Sequence, residues 1–126
     1  MKKIDYYKKM YMIRQVEKTI EKYFERGVMR GTTHGYIGQE AIAVGILSNI
    51  NMETDYVTSG HRCHGHYLAL TDDIIGLAGE VMGKEIGVIN GKGGSQHIKY
   101  KNFYTNGITG GMVPVAVGIG MSKKLK

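Results

Sequence analysis

Cysteine occurs once in the chain, as Cys63, and proline once, as Pro114. A lone thiol closes no internal disulfide, which fits a reducing compartment and points to the cytoplasm. The opening MKKIDYYKKM lacks the apolar core of a secretory leader, and no run approaches the length of a membrane span. A membrane partner is therefore not expected. No basic run is interleaved with aromatic residues, which argues against nucleic acid as a partner. Internal repeats, low-complexity tracts and linkers are also absent, so the 126 residues read as one domain.

What is present is ordinary in bulk and unusual in detail. Apolar residues make up 42% and charged residues 22%, which excludes wholesale disorder. The net charge of +6 comes mainly from lysines near the two ends, a diffuse surplus that favours anionic ligands only weakly. Glycine numbers 19, most of it beyond Gly60, so the second half should be built around tight backbone turns.

Tyr6, Met10, Ile13, Val16 (or Glu17), Ile20 and Phe24 recur at helical intervals, predicting a helix from Asp5 as N-cap to Arg26, stopped by Gly27. A glycine-punctuated loop follows, VMRGTTHGYIGQE, and then QEAIAVGILSNI, apolar enough to predict a buried helix. DYVTS is a strand candidate. TDDIIGLAGEVMG predicts a helix capped by Thr71 or Asp72 and ending at Gly83. GVINGKGGSQH is a loop, and NGITGGMVPVAVGIGMSKKLK reads as a glycine turn feeding a helix of small residues. The pattern predicts an α/β fold, helix-rich, with few parallel strands.

The stretch SGHRCHGHYLA, Ser59 to Ala69, gathers His61, His64, His66, Arg62 and Cys63. Zinc needs these ligand types, but the spacing offers no paired Cys-x-x-Cys and no distant half beyond His34 or His97. A catalytic cysteine would need a nucleophile elbow, which is missing. Arg62 offers a planar fork suited to phosphate or carboxylate, with His61 beside it, just past the C-terminal end of a strand. GKGGS is no Walker loop, because its lysine comes too early. Its glycines allow N–H groups to face an anion, and they suit a tight surface turn equally well.

These motifs taken in order resemble a known family. The chain is similar to the amino-terminal part of the alpha subunit of thiamine-diphosphate-dependent 2-oxo acid dehydrogenases, the first component of the pyruvate, branched-chain 2-oxo acid and acetoin dehydrogenase complexes. The segments that carry the resemblance are MIRQVEKTIEKYFERGVMRGTTHGYIGQEAIAVGI, VTSGHRCHGHYLA, GEVMGKEIGVINGKGGSQH and NGITGGMVPVAVGIGMSKK. Residues 1–126 then form a partial thiamine-diphosphate-binding domain.

Roles implied by the resemblance pass to particular positions. Arg62 and His61 match the pair that holds the cofactor diphosphate; histidine at 61, where pyruvate-type enzymes usually have tyrosine, looks more like the acetoin type. Gly107 and Thr109 match the positions whose backbone meets the aminopyrimidine ring. His34 and His64 match histidines near the reacting carbon, where a proton donor or oxyanion partner is useful. Gln96 stands where the family has methionine.

The implied reaction is oxidative decarboxylation of a 2-oxo acid, or cleavage of acetoin, with transfer to a lipoyl group on a second component. The implied partners are a beta subunit, which supplies the activating glutamate, and a chain carrying the metal-binding part. The family's Gly-Asp-Gly magnesium motif does not occur in the sequence, so the magnesium ligands are expected outside this chain and no metal ligand is assigned within it. Apolar stretches such as GQEAIAVGIL and MVPVAVGIGM predict faces covered by partners in a hetero-oligomer. Two rival readings stay open: a non-catalytic assembly subunit, and transketolase-like ketol transfer on the same cofactor.

Overall fold

The computed structural model describes residues 2–29 and 31–125. The first element, α1 (Lys3–Glu25), buries Ile13, Val16, Glu17 and Ile20 on one face, as the three- and four-residue spacing dictates. Asp5 is not its N-cap. It occupies the third helical position, where its carboxylate accepts the backbone N–H of Lys2 at 2.9 Å. An acid there suits the positive end of the helix dipole. Gly27 ends the helix at φ 70°, a conformation costly for other residues.

The next helix, α2 (Glu40–Leu47), is held against α1 by a two-pronged contact. Arg14 donates from Nε to Glu40 Oε1 at 2.6 Å and from Nη2 to Oε2 at 3.0 Å. The Gly38 N–H reaches the same carboxylate. The bond from Arg14 is the main reason the Glu40 carboxyl falls to about 2. The sequence predicts a buried α2, and the structure buries one side only. Ala43, Val44 and Leu47 enter the core, while Ile42 and Ile46 stay 54% and 60% exposed.

Three short strands form one sheet in the order β1-β3-β2: β1 (Val57–Ser59), β2 (Lys99–Tyr100) and β3 (Phe103–Thr105). β1 runs parallel to β3, with Ser59 opposite Thr105. The third strand departs from the expected parallel arrangement, since β2 is antiparallel to β3. Only Lys101 and Asn102 separate them, and a two-residue turn joins antiparallel strands alone. The fold is otherwise the helix-rich α/β unit that the pattern predicts.

Between β1 and β2 lie α3 (His64–Thr71) and α4 (Ile74–Val81). Neither Thr71 nor Asp72 caps α4. Asp73 does, accepting the Gly76 N–H at 2.8 Å, while Asp72 ends α3 in the left-handed region at φ 57°. Lys9 binds this end of α3, donating to the Ala69 carbonyl at 2.8 Å and lying 3.1 Å from Asp72.

The glycine segment after α4 wraps a buried side chain. Glu80 is fully buried, and its carboxylate accepts the N–H groups of Ile89 at 2.7 Å, Gly91 at 3.1 Å and Gly93 at 2.6 Å. Of the two readings the glycines allow, the loop's N–H groups do face an anion, and the anion is the chain's own.

The last helix, α5 (Met112–Lys124), has no buried residue. It rests beside β1 through Lys123, which donates to the Thr54 carbonyl at 2.9 Å and lies 4.9 Å from the Tyr56 ring centre. Val113, Val117 and Met121 are all more than half exposed. Among the described residues, no helix is long and apolar enough to cross a membrane.

Two predictions follow from these carboxylates. Glu80→Ala strands three backbone N–H groups around an empty site and should lower unfolding free energy by about 3 kcal/mol or more, read as a fall in urea midpoint. The Glu40 carboxyl titrates lower in the folded chain than in the unfolded one. Its contribution is therefore complete above the ordinary carboxylate range and is lost as pH falls toward 2. Arg14→Met should move acid unfolding, followed by circular dichroism, to higher pH.

Candidate functional site

The parallel pair sets the place. β1 and β3 end side by side, and the Asn106 N–H donates to the Ser59 carbonyl at 3.3 Å, extending the pairing one step beyond the strands. The loop carrying His61 and Arg62 and the loop carrying Gly107 and Thr109 therefore leave the same edge of the sheet. In open α/β sheets, ligands bind in the crevice beyond that edge.

Arg62 is exposed and donates from Nη1 to the Gly35 carbonyl at 2.5 Å. Among the described residues, no carboxylate lies within ion-pair distance of it. His34 and His61 are half-buried, their rings edge to face at 4.7 Å between centres. The loop before α2 and the loop after β1 are thereby closed on each other.

Arg62 also lines a cleft of about 420 Å³ with Thr33, Gly35, Ile37 and the Glu17, Glu21 and Glu25 side of α1. The Thr33 hydroxyl is buried with no hydrogen-bond partner among the described residues.

Gly107 is half-buried, its N–H donating to His97 Nε2 at 3.2 Å, and a Cβ there would collide with the Gln96 side chain. Gln96 therefore packs against the Gly107 backbone. Thr109 is exposed. Arg62, His61, His34, Gly107 and Thr109 thus share one rim.

His64 does not join them. It is fully buried, with Nδ1 2.8 Å from Glu17 Oε1 and Nε2 3.0 Å from the Ser95 carbonyl oxygen and 2.9 Å from its hydroxyl. His66 is separate again. Its Nδ1 lies 2.7 Å from Ser59 Oγ and its Nε2 3.0 Å from the Tyr36 hydroxyl. Burial pulls the His66 ring below its ordinary value, so one nitrogen donates and the other accepts. The Tyr36 hydroxyl is pushed up to about 12, first by its own burial and then by Glu40 and Glu17.

Cys63 turns inward, its Sγ donating to the Ser95 carbonyl at 3.4 Å. The crowded stretch therefore divides: His61 and Arg62 face the rim, whereas Cys63, His64 and His66 make separate internal bonds.

Sequence reasoning passed over Glu17, Glu80 and Ser95. A signal existed for the two acids. Each sits on the apolar stripe of its helix, where a carboxylate stays only if the fold supplies donors.

A family model described as dehydrogenase E1 component matches residues 8–126. The chain belongs to the dehydrogenase E1 component family. The E1 alpha subunit of mitochondrial pyruvate dehydrogenase from Schizosaccharomyces pombe is 42% identical over 119 residues, covering 94% of this chain and 29% of that protein. The Zymomonas mobilis pyruvate dehydrogenase E1 alpha subunit is 37% identical over 126 residues, 98% of this chain and 36% of its own length. The alpha subunit of acetoin:2,6-dichlorophenolindophenol oxidoreductase from Bacillus subtilis is 40% identical over 123 residues, 95% and 37% respectively. This E1 chain spans about a third of the curated relatives it matches. The family works with thiamine diphosphate, and the relatives are named as alpha subunits of multi-subunit enzymes.

Burial also pushes the Cys63 thiol up to about 12. The folded E1 chain should therefore leave a disulfide reagent unreacted at pH 8 and take up one equivalent on unfolding, measured by thiol titration.

Proposed function

We propose that this chain forms the alpha-subunit wall of the cofactor site in a thiamine-diphosphate-dependent dehydrogenase that acts on a 2-oxo acid or on acetoin. The observation that carries this is Arg62: an exposed guanidinium with no carboxylate partner among the described residues, beyond the C-terminal edge of a parallel strand pair. An unpaired planar fork there suits a diphosphate, with His61 beside it as a second donor.

The residues present fit the cofactor. Thr33, whose buried hydroxyl has no hydrogen-bond partner among the described residues, lines the same cleft as Arg62, together with Glu17, Glu21 and Glu25. The absent side chain of Gly107 lets Gln96 and His97 close on the adjacent loop, and Thr109 beyond it is exposed. When bound, thiamine diphosphate supplies the electron sink that lets a carbon–carbon bond beside a carbonyl break.

The chain's own residues bind and orient. Arg62 and His61 hold the diphosphate, and the Gly35 carbonyl aims the guanidinium. His34, stacked edge to face on His61, moves a proton at the reacting end or hydrogen-bonds a developing oxyanion there. His64 is enclosed and acts on this site only through its neighbours.

We assign the residues 1–126 to the amino-terminal part of the binding domain, working in the cytoplasm as part of a hetero-oligomer. The exposed apolar residues of α2 and α5 support partner chains: a beta subunit, and one carrying the magnesium ligands. The acceptor is a lipoyl group on a second component.

The test is Arg62→Ala in the assembled enzyme. Calorimetric titration with thiamine diphosphate and magnesium should show affinity lower by roughly ten- to a hundredfold, the worth of a charge-assisted contact. The thermal midpoint should hold, since Arg62 is exposed. Unchanged affinity would remove the diphosphate role.

A further inference from the structure

Glu17 and His64 are the most deeply enclosed titratable pair among the described residues, at 1% and 0% exposure. The proposed reaction asks nothing of either directly. Their contacts are nonetheless complete. Glu17 Oε1 faces His64 Nδ1 at 2.8 Å, and Glu17 Oε2 accepts the Tyr36 N–H at 2.8 Å. On the other side of the ring, Nε2 is 3.0 Å from the Ser95 carbonyl oxygen.

Carboxylate and carbonyl oxygens only accept, so each ring nitrogen faces an acceptor. A neutral ring would turn one lone pair onto an oxygen in a site closed to bulk solvent, unless the Ser95 hydroxyl, 2.9 Å from Nε2, supplied a proton instead. The Ser95 carbonyl, 3.0 Å away on the Nε2 side, can only accept, which favours an N–H there.

We propose that His64 and Glu17 form a buried ion pair in which both ring nitrogens donate, and that Glu17 thereby positions the loop that carries His34. The pair ties together three parts of the chain: α1 through Glu17, the N-terminus of α3 through His64, and the glycine loop through Ser95. The second carboxylate oxygen of Glu17 holds the Tyr36 amide, two residues beyond His34 in a loop otherwise rich in glycine. Gly35, between them, lies against the same oxygen: a Cβ there would sit 3.6 Å from Glu17 Oε2. Glu17 is a positioning residue, and it matters to turnover only insofar as His34 has the role proposed above. Removing one charge of a buried pair leaves the other uncompensated.

The experiment is long-range 1H–15N spectroscopy of ring-labelled histidines at neutral pH, on the protein in the assembly in which it is isolated. His64 is assigned by loss of its signals in His64→Gln. Both His64 nitrogens should resonate as protonated, and should stay so in Ser95→Ala, which removes the hydroxyl and keeps the carbonyl. In Glu17→Gln one nitrogen should shift to the unprotonated position, and the His34 signals should move with it.

A bare Nε2 in the wild-type protein, or one that appears only in Ser95→Ala, would overturn the ion pair. Unmoved His34 signals in Glu17→Gln would overturn the positioning role. If Glu17→Gln does not fold, the Ser95→Ala spectrum decides the pair, and hydrogen exchange of the wild-type Tyr36 amide decides the anchoring: slow exchange supports it, and exchange as fast as an exposed loop overturns it. None of these spectra requires cofactor, so failure of thiamine diphosphate to bind would count against the proposed function alone.

Discussion

Carboxylates taken out of water must find donors for their oxygens, and of the three buried among the described residues, Glu17, Glu40 and Glu80, the two most deeply enclosed shape the loops around them. Glu80 draws the N–H groups of Ile89, Gly91 and Gly93 inward, which gives an otherwise structureless glycine segment one shape. Glu17 does the same for the loop before α2, through the Tyr36 amide, and reaches across to His64. His64 then meets Ser95, at the far end of the segment that Glu80 has folded. The two acids thus share one job, holding flexible backbone to rigid helices. Glycine lets that backbone curl tightly enough to reach them.

The rim of the sheet inherits its order from these buried contacts. Arg62 follows β1 by only three residues and is aimed by the Gly35 carbonyl, whose loop is anchored next door at Tyr36. His34 and His61 touch because both loops are tied down behind them. The Ser59–His66–Tyr36 chain adds a second, uncharged link between the strand end and the same loop. Polar groups that face the rim are exposed or half-buried, while those behind it are fully bonded. That division separates groups able to meet a ligand from groups that hold them in place.

Outside this core the chain is only half covered. α5 packs on its neighbours without burying a residue, and α2 shows Ile42 and Ile46 to the surface. The chain spans about a third of its curated relatives, and apolar faces of this kind are what contacts with further polypeptide would bury.

Much of this is legible in the order of residues alone. The spacing of Ile13, Val16 and Ile20 requires a helix with one buried face, because only a 3.6-residue period puts them together. The strand before His61, the glycine loop and the resemblance to a family all follow from local order along the chain. The departures are local as well: Asp5 sits at the third helical position of α1, with Lys2 at the N-cap, and Asp73 caps α4 in place of Thr71 or Asp72. What the sequence determined by itself, then, is periodicity, turn chemistry and family membership, each encoded in residues close together in the chain. Only the tertiary structure decided that Glu80 is the anion in the glycine loop, that His64 faces Glu17 and not the rim, and that Arg62 is left without a carboxylate among the described residues. Those outcomes depend on which distant groups meet in space and which remain in water, and residues 47 positions apart along the chain carry no local mark of it.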